Sequence, residues 1–300
     1  MAATGAGTQT DPYIVDNWAD FLTVCNISTT TYIVWDDAEE KIVDFNEINP
    51  QGYDSTIECK GNIDFNNWEL RNLASSADVV ISFKGTGVNN HALVCNLKIM
   101  NARHIRNTSG GTFIKEGNCD LDNISLSYEF DYGNGVSYAL EVTGTLAGNK
   151  DIPHNRIAVY AYGMVRDNSW RFTPSRTRTI RYSRFHCDVQ ARSCDNICGA
   201  NLVDSIVSGT IIVDNDTVNQ ILVGAANSTL NVIRLQSNKT IRYNGAGISL
   251  KIDRDYTGDI IRPNTATWDE HVLLVNTAQA RTQQEAILAA GFPLHKAVDD

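Results

Sequence analysis

The chain has 300 residues, of which 42% are hydrophobic and 20% are charged, a composition typical of a globular protein with a substantial core. Its formal net charge of −10 disfavours contacts with nucleic acid or with an anionic membrane surface. No apolar run reaches the length of about 18 residues that a transmembrane helix needs, and the N-terminus lacks the pattern of a secretory signal. We therefore expect a protein that folds in a cytoplasm with reduced cysteines and that binds neither nucleic acid nor membrane.

The first predicted element is a short strand that leads into a short amphipathic helix. Tyr13–Val15 favours a strand, and Asp16 is the predicted N-cap of the helix. Trp18 and Phe21 follow at the spacing of one helical face, so the helix is predicted at about Asp16–Thr23. Residues 1–50 are interpreted as a lead-in and cap.

An asparagine followed by alternating apolar residues recurs along the middle of the chain. It stands at Asn67, Asn96 and Asn123, with steps of 29 and 27 residues, and again at Asn231. Alternation is the period of a strand with one buried face, and short strands that recur every 20–45 residues indicate a stacked solenoid. Further strand-like runs are Val79–Phe83, Ile157–Tyr162, Thr179–Phe185, Ile206–Val213 and Ile248–Ile252.

Between these strands the sequence shows no helical pattern, which argues against alternating strands and helices. A sandwich, a barrel and a solenoid remain as all-β alternatives. The recurring unit favours an all-β fold, a right-handed parallel β-helix, over residues 51–265, with asparagine ladders and stacked apolar side chains on successive coils. The helix near residue 16 would then cover the open end of the first coil, with an ordinary packed helix as the alternative.

The C-terminal segment, residues 266–300, combines a strand, a helix and an apolar tail. Trp268–Val275 is strand-like, and Thr282–Glu285 fits a capping box. A short helix is predicted over Glu285–Ala290, and Gly291 fits the position that ends a helix. The apolar tail that follows consists of Phe292, Pro293 and Leu294.

Both ends of the chain carry residues with a family resemblance. At the N-terminus these are Gly7-Thr8, Asp11–Val15 and Asn17-Trp18 with Phe21, and at the C-terminus Glu285–Leu294. They resemble the ends of β-helix proteins encoded by tailed phages and prophages. The resemblance implies a virion component, often trimeric, displayed on the head or the tail, and it supplies no catalytic residues.

The function expected from these observations is that of a structural virion protein, a homotrimeric decoration or short fibre on the capsid exterior. Tail depolymerases typically need a longer chain, so the head is preferred over the tail. A bacterial surface adhesin is disfavoured by the N-terminus described above. The expected partners are other copies of the chain and capsid or tail proteins. Candidate assembly or attachment residues lie at the two ends: Tyr13, Trp18, Phe21, Phe292, Pro293 and Leu294.

The alternative function is a tail-associated spike that binds or depolymerises a host surface glycan. Glycosidic cleavage needs two carboxylates at a defined separation. Asp120 and Asp122, or Asp253 and Asp255, would lie about 6–7 Å apart on one face of a strand. Both pairs stand beside turns, where aspartate is common for backbone hydrogen bonds, so we expect no enzymatic activity.

Three further groups of residues have two interpretations each. Asp253–Gly258 starts like a calcium loop, but Asn264 stands where the loop needs an acidic residue. His186, Cys187, Cys194 and Cys198 lack the spacing of a zinc site and are interpreted as thiols beside a histidine, so no metal or cofactor is predicted. Six aromatic residues could form a sugar-binding face, or equally a core or a subunit interface: Trp68, Tyr128, Tyr132, Tyr160, Tyr162 and Trp170.

Overall fold

The structure, a computed structural model, describes residues 3–86, 91–142, 154–173, 179–181, 183–194, 196–203, 205–218, 220–224, 232–243, 249–251 and 272–274. The helices in these residues are α1, Trp18–Val24, and α2, Phe45–Ile48. Among the described residues, no helix is long and apolar enough to cross a membrane.

The first strands are short, and longer ones begin at residue 79. In chain order they are β1 Tyr13–Val15, β2 Tyr32–Trp35, β3 Ile42–Asp44, β4 Ile57–Lys60, β5 Asn62–Asp64, β6 Glu69–Arg71, β7 Ala74–Ser75, β8 Val79–Lys84, β9 Ala92–Arg106, β10 Thr112–Gly117, β11 Cys119–Tyr132 and β12 Ser137–Val142.

The second half continues with two long strands and a series of shorter ones. These are β13 His154–Arg171, β14 Thr179–Arg181, β15 Arg184–Ser193, β16 Asn196–Cys198, β17 Asn201–Val203, β18 Ile206–Val213, β19 Gln220–Val223, β20 Val232–Ser237, β21 Thr240–Tyr243, β22 Ser249–Lys251 and β23 Val272–Leu274.

The strands stack in parallel, in the order of the chain. One ladder runs from β1 through β2, β5, β9, β11, β13, β15, β18, β20 and β22 to β23. A second joins β4, β8, β10 and β12, and ends on the last residues of β13. Leu97 pairs with Ile124 and Ile124 with Ile157, so one coil takes roughly 30 residues there. The fold is therefore an all-β parallel solenoid, as the sequence predicted.

The recurring asparagines mark a corner of the coils. Asn67, Asn96 and Asn123 have φ values of 63°, 57° and 57°, in the left-handed region that asparagine tolerates better than most residues. Their side chains form a ladder, in which Asn123 Nδ2 donates to Asn96 Oδ1 at 2.7 Å and Asn96 Nδ2 donates to Asp64 Oδ1 at 2.9 Å. On the next coil Arg156 takes the same position with φ 51°. The asparagine repeat thus marks where the chain turns.

Aromatic side chains fill the inside of the solenoid in contact with one another. Near the N-terminus the ring centroid of Trp35 lies 5.2 Å from that of Phe21 and 5.8 Å from that of Phe65. Further along, the rings of Phe130 and Trp170 stack at 5.5 Å with an interplanar angle of 8°. All five side chains are at most 1% exposed, and as large aromatic groups each contributes a large apolar area to the core.

Helix α1 covers the aromatic core at the start of the solenoid. Its N-cap is Asn17, whose Oδ1 accepts a hydrogen bond from the backbone N–H of Asp20 at 2.9 Å, so the predicted cap at Asp16 is one residue early. The indole N–H of Trp18 donates to the hydroxyl of Tyr53 at 2.7 Å. The short α2 beside it was not predicted, because four residues contain too few positions for a helical period.

Parallel pairing begins at β1, inside the segment interpreted as a lead-in. Tyr13–Val15 pairs with residues 33–35, so residue 51 does not mark a break in the sheet. At the other end, β23 pairs with β22 and lies within the predicted strand Trp268–Val275. The predicted helix Glu285–Ala290 and the tail after it lie outside the described residues.

One histidine is buried in the core. His104 of β9 is 0% exposed and lies edge-on to the ring of Tyr132, with their centroids 5.1 Å apart. Its Nε2 is 2.8 Å from the carbonyl oxygen of Ala77, and its Nδ1 is 2.7 Å from the hydroxyl of Tyr132. A carbonyl only accepts, so Nε2 carries the proton and Nδ1 accepts from the hydroxyl. Burial lowers the pKa of His104 to about 4, and the positive charge of Arg106 adds to this effect.

Candidate functional site

An aromatic and acidic surface lies on the outer side of the main ladder, where β11, β13 and β15 are neighbours. We call it the tyrosine face and define it by Glu129, Tyr160, Tyr162, His186 and Asp188. Along β13, the side chains at 160 and 162 point outward because those at 159 and 161 are buried, the alternation of a strand. The register aligns Glu129, Tyr162 and Asp188 in one row, and Tyr160 with His186 in the next.

The rings of the tyrosine face are held in fixed orientations. Tyr160 and His186 stack with centroids 4.9 Å apart and an interplanar angle of 15°, and Tyr162 lies 5.8 Å from Tyr160. His186 Nδ1 is 3.0 Å from the hydroxyl of Ser208, and its Nε2 is 3.4 Å from a carboxylate oxygen of Asp188. These contacts on both sides of the imidazole fix its ring, whereas the ring of Tyr162 is tilted by 46° from that of Tyr160.

Two carboxylates flank Tyr162. Glu129 and Asp188 lie one strand away on either side, so their backbones are about 10 Å apart. Partial burial raises the pKa of Tyr160 and of Tyr162, and the negative charges of Asp188 and Glu129 respectively add to it. Both phenols therefore remain hydrogen-bond donors at neutral pH. The exposed ring of Tyr162 can pack on a sugar ring, and the carboxylates beside it can accept hydrogen bonds from the sugar hydroxyl groups.

An apolar strip continues the tyrosine face toward the later ends of the strands. Tyr162, Met164 and Ile212 are 37%, 39% and 38% exposed, and Met164 and Ile212 lie in one row with Gln190 between them. An ion pair, Arg166 with Asp131 at 2.5 Å, borders the strip. Apolar side chains grouped within a charged border are typical of a surface that another molecule covers.

The structure places Asp120 and Asp122 on one face of β11, as the sequence predicted, but a nitrogen-bearing side chain lies next to each carboxylate. The guanidinium of Arg156 binds Asp122 through two nitrogens, with Nε at 2.8 Å from Oδ1. This bond raises the pKa of Arg156. Asp120 lies 3.3 Å from Nδ1 of His91. The ion pair of Asp122 with Arg156 thus joins adjacent coils. Asp122, one of the two carboxylates of the possible glycan site, therefore has a structural role. Asp253 and Asp255, like the calcium-like loop Asp253–Gly258, lie outside the described residues.

The six aromatic residues considered for a sugar-binding face divide between the core and the surface. Trp68, Tyr128, Tyr132 and Trp170 are at most 4% exposed and belong to the core. Tyr160 and Tyr162 are partly exposed and form the tyrosine face. The sequence analysis missed His186, Asp188 and Glu129 as members of that face. The sequence does indicate that His186 and Asp188 face outward, because they alternate with apolar residues along Phe185–Val189.

The candidate assembly residues at the N-terminus lie inside the cap instead of on its surface. Trp18 and Phe21 are 6% and 0% exposed, and Tyr13 packs partly buried against the core. Their side chains stabilise the cap, so direct contact with a second subunit is not available to Trp18 and Phe21. Phe292, Pro293 and Leu294 lie outside the described residues, and their role in assembly stays a prediction.

The cysteines near His186 do not form a cluster with it. Cys187 points into the core while His186 points outward, because they are neighbours on one strand. The thiol of Cys194 donates a hydrogen bond to the carbonyl oxygen of Trp170 at 3.3 Å, and none of the seven cysteines, all of which lie in the described residues, forms a disulfide. Within the described residues, no group of three or more histidine, cysteine or acidic side chains is placed to hold a metal ion.

Comparison with protein-family models, with curated proteins and with solved structures finds no match to this chain.

Proposed function

We propose that the protein is a structural component of a tailed-phage virion, a homotrimeric decoration or short fibre on the capsid exterior. The resemblance of both chain ends to phage β-helix proteins supports the virion role. The observation that supports the trimer is the apolar strip of Tyr162, Met164 and Ile212 on the outer side of the main ladder. Three copies around one axis bring the same sheet face of each subunit together and remove this strip from water.

The trimer is tested by light scattering on the purified chain. Met164→Glu and Ile212→Glu place a charge in the strip, and the expected result is a monomer with an unchanged circular dichroism spectrum. Val136→Glu is the matched control, because Val136 is 40% exposed and lies in the turn before β12. A wild-type monomer, or a trimer that survives both strip variants, contradicts the proposed interface.

The virion role is tested by electron microscopy of phage particles with and without the gene. Particles without it should lack a defined density on the capsid exterior. If particles of both kinds carry the same density, the protein is not a virion component. Density lost from the tail alone would move the attachment site from the head to the tail.

A second candidate function, supported by the stacked rings and the flanking acids, is binding of a host surface glycan on the tyrosine face. Tyr160→Ala and Tyr162→Ala should weaken retention on immobilised polysaccharide, whereas Val136→Ala should not. New reducing ends during incubation would add cleavage to binding, and Asp188→Asn with Glu129→Gln would then test the two carboxylates. Equal retention of all variants removes this candidate.

A further inference from the structure

The negative charge of the protein is concentrated at its N-terminal end. Residues 1–75 contain 13 acidic and 3 basic side chains, and residues 76–300 contain 22 of each. The whole formal net charge of −10 therefore belongs to the first quarter of the chain, which includes α1 and α2. Charge of one sign repels itself in a compact structure, and a positively charged partner relieves that repulsion.

A cleft with apolar walls opens on the outside of this acidic end, between α1 and α2. We call it the cap cleft, and its volume is about 470 Å³. Buried Trp18, Val43 and Trp68 form part of its lining, whereas Leu22 and Ile48 in the lining are 42% and 52% exposed. Two large aliphatic side chains on short neighbouring helices are thus left in contact with water at one place.

A second depression continues the cap cleft along α1. It has a volume of about 270 Å³ and shares Leu22 and Tyr53 with the cap cleft. Ile57 and Glu58 extend its lining beyond Tyr53. The two depressions lie side by side along α1, and together we call them the track. Their combined length suits an extended or helical peptide segment better than a compact small molecule.

The polar lining of the track is acidic. Asp16, Asp44 and Glu47 line the cap cleft, and neither lysine nor arginine lines either depression among the described residues. Asp44 accepts hydrogen bonds from the Asn72 side chain and the Asn46 backbone, both at 2.9 Å, and these bonds lower the pKa of Asp44. An acidic track with aliphatic walls is complementary to a segment that combines cationic and aliphatic side chains.

We propose that the cap cleft binds a cationic, aliphatic peptide segment of a partner protein. The aliphatic side chains of that segment pack against Leu22 and Ile48, and its lysine or arginine groups face Asp16 and Glu47. The chain's own C-terminal segment has the wrong charge for this site, because residues 285–300 contain three acidic side chains and one lysine. The proposal rests on the cleft and its charge alone, so it holds or fails independently of the virion role and the trimer.

The test uses the full chain and a short fluorescein-labelled peptide of alternating lysine and leucine, with binding followed by fluorescence anisotropy. Two comparison peptides replace either lysine by glutamate or leucine by serine. The lysine–leucine peptide should bind, and both others should bind at least about tenfold more weakly, because each lacks one of the two complementary features.

Variants of the cleft locate the binding. Glu47→Lys and Ile48→Ser should each weaken binding of the lysine–leucine peptide by about tenfold. Their matched controls are Glu39→Lys and Ile27→Ser, which change exposed residues outside the track; Ile27 is 54% exposed against 52% for Ile48. These controls should bind like the wild type. Circular dichroism should be the same for all four variants.

Three results would overturn the proposal. Equal binding by the cleft variants and their controls would show a diffuse attraction between opposite charges. Equal binding of the lysine–serine peptide would show that the apolar walls take no part. Displacement of the lysine–leucine peptide by a peptide with the sequence of residues 285–300 would assign the cleft to the chain's own C-terminal segment instead of a partner.

Discussion

Replacement of His104 by glutamine should remove a large part of the sensitivity of this fold to acid. In the folded state, burial holds the pKa of His104 at about 4, whereas a histidine in an unfolded chain titrates near 6.5. The unfolded state therefore binds a proton first as the pH falls. The contribution of neutral His104 to stability is complete above about pH 6.5 and is lost on acidification, by about 3.4 kcal/mol once the pH is below about 4.

The assay measures the free energy of unfolding by urea titration at pH 7.5 and at pH 5.0. Between these values the wild type should lose about 2 kcal/mol through His104 alone. His104→Gln lacks the titrating group but keeps a donor for the carbonyl of Ala77. Between pH 7.5 and pH 5.0, its free energy of unfolding should therefore decrease by about 2 kcal/mol less than that of the wild type. At pH 7.5 the variant should be less stable than the wild type, because Tyr132 loses its well-placed acceptor.

Tyr132→Phe is the control for loss of a core hydrogen bond without loss of the imidazole. It should be destabilised at both pH values and should keep a pH-dependent loss, because His104 remains buried. Parallel losses of stability in the wild type and in His104→Gln would refute the reasoning, since they would mean that burial does not keep this imidazole neutral.

Four substitutions at three positions test the coil geometry and the core, each by urea titration at pH 7.5. Gly209→Ala should cost at least about 2 kcal/mol, because φ is 103° and the added Cβ would lie 2.0 Å from the carbonyl oxygen of Cys187. Asn96→Ala should cost about 2 kcal/mol and Asn96→Gly about half of that, because glycine keeps φ 57° without strain and loses only the ladder. Phe130→Ala should cost about 4 kcal/mol through the cavity it leaves in the aromatic core. Losses under about 0.5 kcal/mol in any of the three would contradict the corresponding contact.

The solenoid was predictable because its repeating feature is a backbone requirement. Four successive coils turn through a left-handed residue at the same place, and asparagine supplies three of these residues, so Asn67, Asn96 and Asn123 were visible as a repeat. The match of Ile206–Val213 to β18 was equally direct, since this run is rich in β-branched residues. By contrast, β2 and β3 are four and three residues long, too short for a period to be recognised.

The tyrosine face was only partly predictable because the inward side of a strand changes where the coil bends. Along β11 the run from Ile124 to Tyr128 is buried without alternation, and the register to β9 shifts between Leu126 and Tyr128. If strict alternation is extended across such a shift, it does not decide whether Tyr128 and Tyr132 point into the core or toward solvent. The packing of neighbouring coils therefore determines which aromatic residues face water. This packing depends on residues far apart in the chain, so it cannot be recognised from a short stretch of sequence.

Because the described coils stack in chain order, the acidic excess of residues 1–75 places a negative field at the α1 end of the stack. That field acts on a charged partner before any contact forms, over a range of about 10 Å at 0.1 M salt. A positively charged surface would be drawn to the α1 end and would meet it in a preferred orientation. Added salt would slow such oriented encounters, while contacts already made through the apolar strip would persist.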